Sequence, residues 1–236
     1  MNFIGRIYMD IRGTHRYLKI VLYICLVAIL PFLPPTPSDA AENRDFLWDM
    51  VSACIDTRTA DYCTRCVMPR AEIDCRSCRN TTQVWAESEE FVVIRDRKMC
   101  DCPDGFVHGL AVPRSRVTGV EDAGRPDGIW DFAWAEAAKR LKEDEIALAV
   151  NPKEKRSQDQ LHVHIVRLRK GSLPDDMRRM VRVDSLRGVW EAAAGKAANL
   201  NWKDYGVLVT RGAGSGYMVV IDDGSPEYDY TLANCR

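Results

Sequence analysis

The chain has 236 residues, with 33 Lys and Arg against 34 Asp and Glu, 46% apolar residues and nine cysteines. That length gives one large or two small domains with enough apolar material for a core. The balance excludes wholesale disorder and a chain built to grip a polyanion, so no nucleic-acid partner is expected.

Arg6, Arg12, Arg16 and Lys19 precede an apolar run from Ile20 to Leu33, followed by Pro34, Pro35 and Pro37 and by small residues around Ser38, Ala40 and Ala41. This is the layout of a secretory signal or an N-terminal membrane anchor over residues 1–40. The run is shorter than the roughly 20 residues that a straight spanning helix needs. Cys25 belongs to this segment, which leaves Cys54, Cys63, Cys66, Cys75, Cys78, Cys100, Cys102 and Cys235 beyond it. An even number in an exported chain favours disulfides. Cys63-x2-Cys66 and Cys75-x2-Cys78 also resemble paired zinc knuckles, so a structural zinc stands as the other option. Spacing alone does not fix the pairing.

Residues 41–80 form a cysteine-rich extension with one short helix, in which Phe46, Leu47, Met50, Val51 and Cys54 share a face. Residues 84–96 read as two strands joined by an acidic turn, with Phe91 to Ile94 a buried run. Residues 107–113 read as a strand closed by Pro113, and Gly124 to Gly128 as a loop. Ile129 to Leu141 is an Ala-rich helix with an apolar face. Ile146 to Val150 and Leu161 to Leu168 are strands separated by a polar loop. A charged helical segment covers Pro174 to Val183. The chain ends in two strands, Gly206 to Thr210 and Tyr217 to Asp222, joined as a hairpin by a Gly-rich loop. The expected class is therefore α+β, built around an antiparallel sheet.

The chemistry concentrates in Gln160-Leu161-His162-Val163-His164-Ile165. Alternation along a strand puts Gln160, His162 and His164 on one face, about 7 Å apart in steps of two, and the apolar residues on the other. Such a face can hold a metal, or supply a nucleophile and the groups that orient it. It can equally be two surface histidines on an exposed strand.

The strand resembles the signature of the histidine-triad (HIT) superfamily, His-φ-His-φ-His with φ apolar, with Gln160 in the first position. The strand ending in Asn151, the polar loop with Ser157, and an apolar strand closed by Pro113 and Arg114 are similar to the family's approach to its triad. LWDMVSAC, ALAVN before RSQDQLHVHI, and IWDFAWAEAAKRL further resemble the CDP-diacylglycerol pyrophosphatase family, an exported and membrane-associated branch of that superfamily. The resemblance implies a HIT-like antiparallel sheet with a long helix over residues 81–236, behind the cysteine-rich extension. It implies hydrolysis of CDP-diacylglycerol to CMP and phosphatidate at a membrane surface, facing the periplasm, with no cofactor and no obligatory metal. His162 would be the nucleophile, with its other ring nitrogen on a backbone carbonyl. His164 and Gln160 would bind phosphate oxygens, and Asn151, Ser157, Arg114 and Arg116 would contact substrate. The cysteines from Cys54 to Cys102 would brace the extension against the sheet, and Cys235 would tie down the tail. Hydrolysis of another nucleotide diphosphate, or a non-enzymatic disulfide-braced or zinc-binding envelope module, are the competing readings.

Overall fold

The structure, a computed structural model, describes residues 44–53 and 83–235. Strands β1 (Val84–Glu87), β2 (Phe91–Arg95), β3 (His108–Pro113), β4 (Ile146–Val150), β5 (Val163–Arg167), β6 (Met180–Val183), β7 (Gly206–Arg211) and β8 (Tyr217–Asp222) form one sheet, ordered β1-β2-β3-β5-β4-β7-β8-β6. Every pairing is antiparallel. The class expected from the sequence is thus observed.

One face of the sheet carries the main core. Val93, Ala111, Val163, Ile165, Leu148, Val209 and Ile221 pack under helices α2 (Gly128–Ala137) and α3 (Val189–Asn199). Trp130 of α2 and Trp190 of α3 meet with ring centroids 4.7 Å apart, which fixes the two helices to each other as well as to the sheet. Helix α2 stops at Ala137, before the expected Leu141, although Leu141 still buries in the same core.

The opposite face is covered in two pieces. Helix α1 (Phe46–Ala53) lays Leu47, Met50 and Val51 on Val92, Ile94 and Val112. The C-terminal segment, with helix α4 (Pro226–Tyr230), places Tyr230 on Ala147, Ala149, Val166, Leu208 and Val220. Because both faces are covered, β4 is buried along its whole length, as its unbroken apolar run IALAV requires. Gly206 is what lets α4 approach: a Cβ there would lie 2.6 Å from the Pro226 ring and 2.7 Å from the Val150 carbonyl.

Two expectations are corrected. Pro174 to Val183 is not helical: Met177–Arg179 make a single 3-10 turn and Met180–Val183 continue as edge strand β6 on β8. Met180, Val181 and Val183 give no helical stripe, whereas β-branched residues gain a ladder and a half-buried pleat beside β8. Helices α3 and α4 lie where no helix was expected, although Val189, Trp190, Ala193 and Ala197 have helical spacing.

Cys102 and Cys235 form a disulfide, so Cys235 does tie down the tail, and Cys100 is also disulfide-bonded. The other cysteines, with most of the extension and the whole basic and apolar N-terminal segment, lie outside the described residues. Among the described residues no helix is long and apolar enough to cross a membrane.

Candidate active site

Strands β3 and β5 pair with Gly109 opposite Ile165 and Leu110 opposite His164. That register puts His108 and His164 on the same face as diagonal neighbours, with ring centroids 5.3 Å apart. His162, just before β5, lies with its ring 4.8 Å from that of His164. The three imidazoles are 0%, 8% and 4% exposed for His108, His162 and His164, which removes the reading of surface histidines.

Their hydrogen bonds fix most of the protons. His162 Nδ1 sits 2.7 Å from the carbonyl oxygen of Gln160. A carbonyl only accepts, so Nδ1 carries the hydrogen and Nε2 keeps a free lone pair. His108 Nδ1 is 3.0 Å from the Ala233 carbonyl, so it too donates and leaves Nε2 as an acceptor. His164 Nδ1 lies 3.0 Å from that His108 Nε2 and must supply the hydrogen between them. His164 Nε2 is then left as a lone pair, buried with no hydrogen-bond partner and 3.3 Å from Glu227 Oε2.

Charged groups enclose the cluster. Lys98 Nζ donates to Glu227 Oε1 and, at 2.8 Å, to the Tyr228 hydroxyl. Burial pulls the Lys98 pKa down, but the charge and hydrogen bond of Glu227 outweigh it and the net shift is upward. Asn151 Nδ2 donates to Glu227 Oε2 at 2.8 Å, while its Oδ1 accepts from Ser225 Oγ at 2.9 Å. Asp96 Oδ1 accepts from the Lys98 amide at 2.9 Å, which turns Oδ2 toward His108 Nε2 at 3.5 Å. Burial lowers the pKa of all three histidines, most strongly for His164, whose neighbours His162, His108 and Lys98 add to the effect. The imidazoles are therefore neutral near pH 7, the state in which His162 Nε2 is nucleophilic.

The residues anticipated from the sequence divide. His162, His164 and Asn151 meet in this network. Gln160 is fully buried but commits its amide elsewhere: Nε2 donates to the Pro113 and Ser115 carbonyls at 2.9 and 2.8 Å. Its contribution to the site is the main-chain carbonyl that holds His162. Ser157 is exposed. Arg114 pairs with Glu87, and Arg116 pairs with Asp45 over the Trp48 ring.

Three residues of the cluster carry little or no sequence signal. His108 is legible only from the β3–β5 register, and Lys98 and Asp96 only from the turn after β2. Glu227 had a usable signal, since Ser225-Pro226 is a helix-start pattern. Arg156 carried no sequence signal either and pairs with Asp159 as well as Glu121. It is buried, pairs with Glu121 at 2.5 Å, leaves Nε without a partner, and lies near enough for its charge to lower the His162 pKa.

Comparison with known proteins agrees with the sequence pattern. The family described as CDP-diacylglycerol pyrophosphatase matches residues 42–207, which include β5, His162 and His164. Proteins named CDP-diacylglycerol pyrophosphatase from Mycobacterium bovis (BCG Pasteur) and Mycobacterium tuberculosis (H37Ra) are 41% identical over 69 residues, covering 24% of this chain and 26% of theirs. A Mycobacterium leprae protein named probable CDP-diacylglycerol pyrophosphatase is 41% identical over 68 residues, covering 24% of this chain and 25% of its own. These matches span about a quarter of each relative's length.

Proposed function

The chain belongs to the CDP-diacylglycerol pyrophosphatase family, and from that premise we propose that it hydrolyses CDP-diacylglycerol to CMP and phosphatidate on a HIT-like sheet, with His162 as the nucleophile. The observation that carries the reading is the bond from His162 Nδ1 to the Gln160 carbonyl, which presents a neutral Nε2 lone pair.

In the first step Nε2 attacks the phosphorus that bears the cytidine. A P–N bond forms, the bond from that phosphorus to the bridging oxygen breaks, and phosphatidate departs with both electrons. In the second, a water oxygen attacks the same phosphorus, the P–N bond breaks, and CMP leaves while the water proton passes to solvent. Departing phosphatidate is a stable anion and needs little protonation. Asn151 is placed through Glu227 to order the same network. Ser157, Arg114 and Arg116 remain candidate substrate contacts of this proposal. The basic and apolar segment of residues 1–40 supports action at a membrane surface on the periplasmic side, where the cleaved bond of a lipid substrate lies.

The test is CMP release from CDP-diacylglycerol in mixed micelles, run in ¹⁸O-labelled water with wild type and His162→Ala. Label in CMP alone is the expected result, with turnover reduced about a thousandfold or more in the variant. Label in phosphatidate would reverse the direction of attack. Normal turnover by His162→Ala would sink the nucleophile. Turnover of CDP-alcohols or ADP-sugars but not of the lipid would move the substrate to another nucleotide diphosphate.

A further inference from the structure

The proton count around His108 leaves a discrepancy. Its Nε2 lone pair, fixed by the Ala233 carbonyl on the other nitrogen, faces His164 Nδ1 at 3.0 Å, Asp96 Oδ2 at 3.5 Å and Glu227 Oε1 at 3.6 Å. Only one of these contacts has a hydrogen to share. The other two set a lone pair against carboxylate oxygens at a point buried from water. On the far side of His164, a second lone pair at Nε2 faces a third carboxylate oxygen, Glu227 Oε2. Lys98 neutralises Glu227 from the outside but reaches neither imidazole with a hydrogen bond among the described residues.

We propose that His108 Nε2, His164 Nδ1 and Asp96 Oδ2 bind a divalent first-row transition ion, zinc being the best fit, with the fourth position open. The donor atoms of these three residues lie within 4.8 Å of one another. Bonds of about 2.0–2.2 Å in a tetrahedral arrangement set two donors roughly 3.3–3.6 Å apart, and the separations from His108 Nε2 need to change by only a few tenths of an ångström. Two imidazoles and one carboxylate are the donor set that such an ion accepts while keeping a position for water or a substrate oxygen.

The outer contacts needed by such a site are in place. A metal-bound imidazole fixes its tautomer by donating its other N–H, and His108 Nδ1 does so to the Ala233 carbonyl. Asp96 is aimed by the Lys98 amide on its other oxygen. An ion on His164 Nδ1 displaces that hydrogen to Nε2, which then donates to Glu227 Oε2 instead of facing it as a lone pair. One ion thus removes all three unfavourable contacts. It also makes His164 Nε2–H a donor for a phosphate oxygen, a consequence that rests on the reaction proposed above, whereas the site itself does not.

The experiment uses the full chain, stripped with chelator and titrated with Co²⁺ and with Zn²⁺. Expected are one cobalt per chain, a visible ligand-field spectrum without sulfur-to-cobalt charge transfer, and displacement by zinc. Asp96→Asn and His108→Gln should each weaken binding about 10–100-fold or more, while His162→Ala keeps it. Zinc-edge X-ray absorption on the wild type should show two imidazoles with oxygen and no sulfur, which decides the matter even if a variant fails to fold. A wild type that takes up no ion, a sulfur-rich site marking the cysteines instead, or variants that bind as the wild type does would each overturn the proposal. Chelator-resistant CMP release without metal uptake removes the metal and leaves the hydrolase. Metal uptake without hydrolysis of any nucleotide diphosphate does the reverse.

Discussion

Two clamps close over the same face of the sheet, one from each end of the described chain, and they are built from different physics. The N-terminal clamp joins helix α1 to the loop before β5. Arg44 grips Asp159 through Nε and Nη2 at 2.9 and 2.8 Å, and the Leu47 amide donates to Gln158 Oε1 at 2.8 Å. The Arg44–Asp159 pair is open to solvent and the Leu47–Gln158 bond is partly so. The C-terminal clamp holds α4 and the tail over His108 and His164 with the Cys102–Cys235 disulfide and buried hydrogen bonds of Asn151 and Glu227. The first clamp steadies the loop that presents the Gln160 carbonyl to His162, and the second supplies the Ala233 carbonyl to His108. The difference teaches where disruption is costly: screened surface pairs are exchangeable for water, while a covalent link and buried polar bonds are not.

The largest expected effect comes from cutting the C-terminal clamp. Cys102→Ser with Cys235→Ser should lower unfolding free energy by about 2–5 kcal/mol in denaturant titrations, and an unchanged midpoint would show that the tail is held without the bond. Asn151→Ala removes the hydrogen-bond donor to Glu227 Oε2 at a buried point and should lose about 1–3 kcal/mol in the same titration. Turnover should fall further than stability alone accounts for. On the N-terminal side, Gln158→Ala should cost about 0.5–1.5 kcal/mol. Asp159→Asn, at an exposed pair discounted for solvent screening, should cost only about 0.2–1 kcal/mol and less at high salt. A loss for Asp159→Asn equal to that for the disulfide would break the comparison.

The smallest effect is a pH dependence. Two hydrogen bonds from Arg44 hold the Asp159 carboxyl at about 2, below the ordinary 3.8. A depressed carboxylate stabilises the fold above its unfolded pKa and loses that contribution as pH falls through the folded one. The Asp159 share of stability should therefore be complete above about pH 4 and vanish toward pH 2, and Asp159→Asn should flatten that part of the profile.

Legibility in the sequence followed the range of the interaction. The period-2 run through His162 and His164 shows which residues share a face, and the unbroken apolar run of β4 shows burial on both faces, because neighbouring side chains report each. Asn151, one residue beyond a strand, was placed in the site by the family resemblance. Gln160 was placed beside His162 by alternation, while the carbonyls of Pro113 and Ser115, which no local pattern announces, took its amide. Arg114 and Arg116, read from the sequence as substrate contacts, pair with the surface carboxylates of Glu87 and Asp45, a choice of partners that no local pattern records.

By itself the sequence determined that an antiparallel α+β sheet carries two histidines on one face of a central strand, because side-chain alternation is a property of the backbone. Only the tertiary structure decided that His108, Asp96, Lys98 and Glu227 surround them. A strand register brings His108 to His164 across 56 positions, and a turn after β2 and a tail held by a disulfide bring Lys98 to Glu227 across 129, and burial there makes each proton position matter.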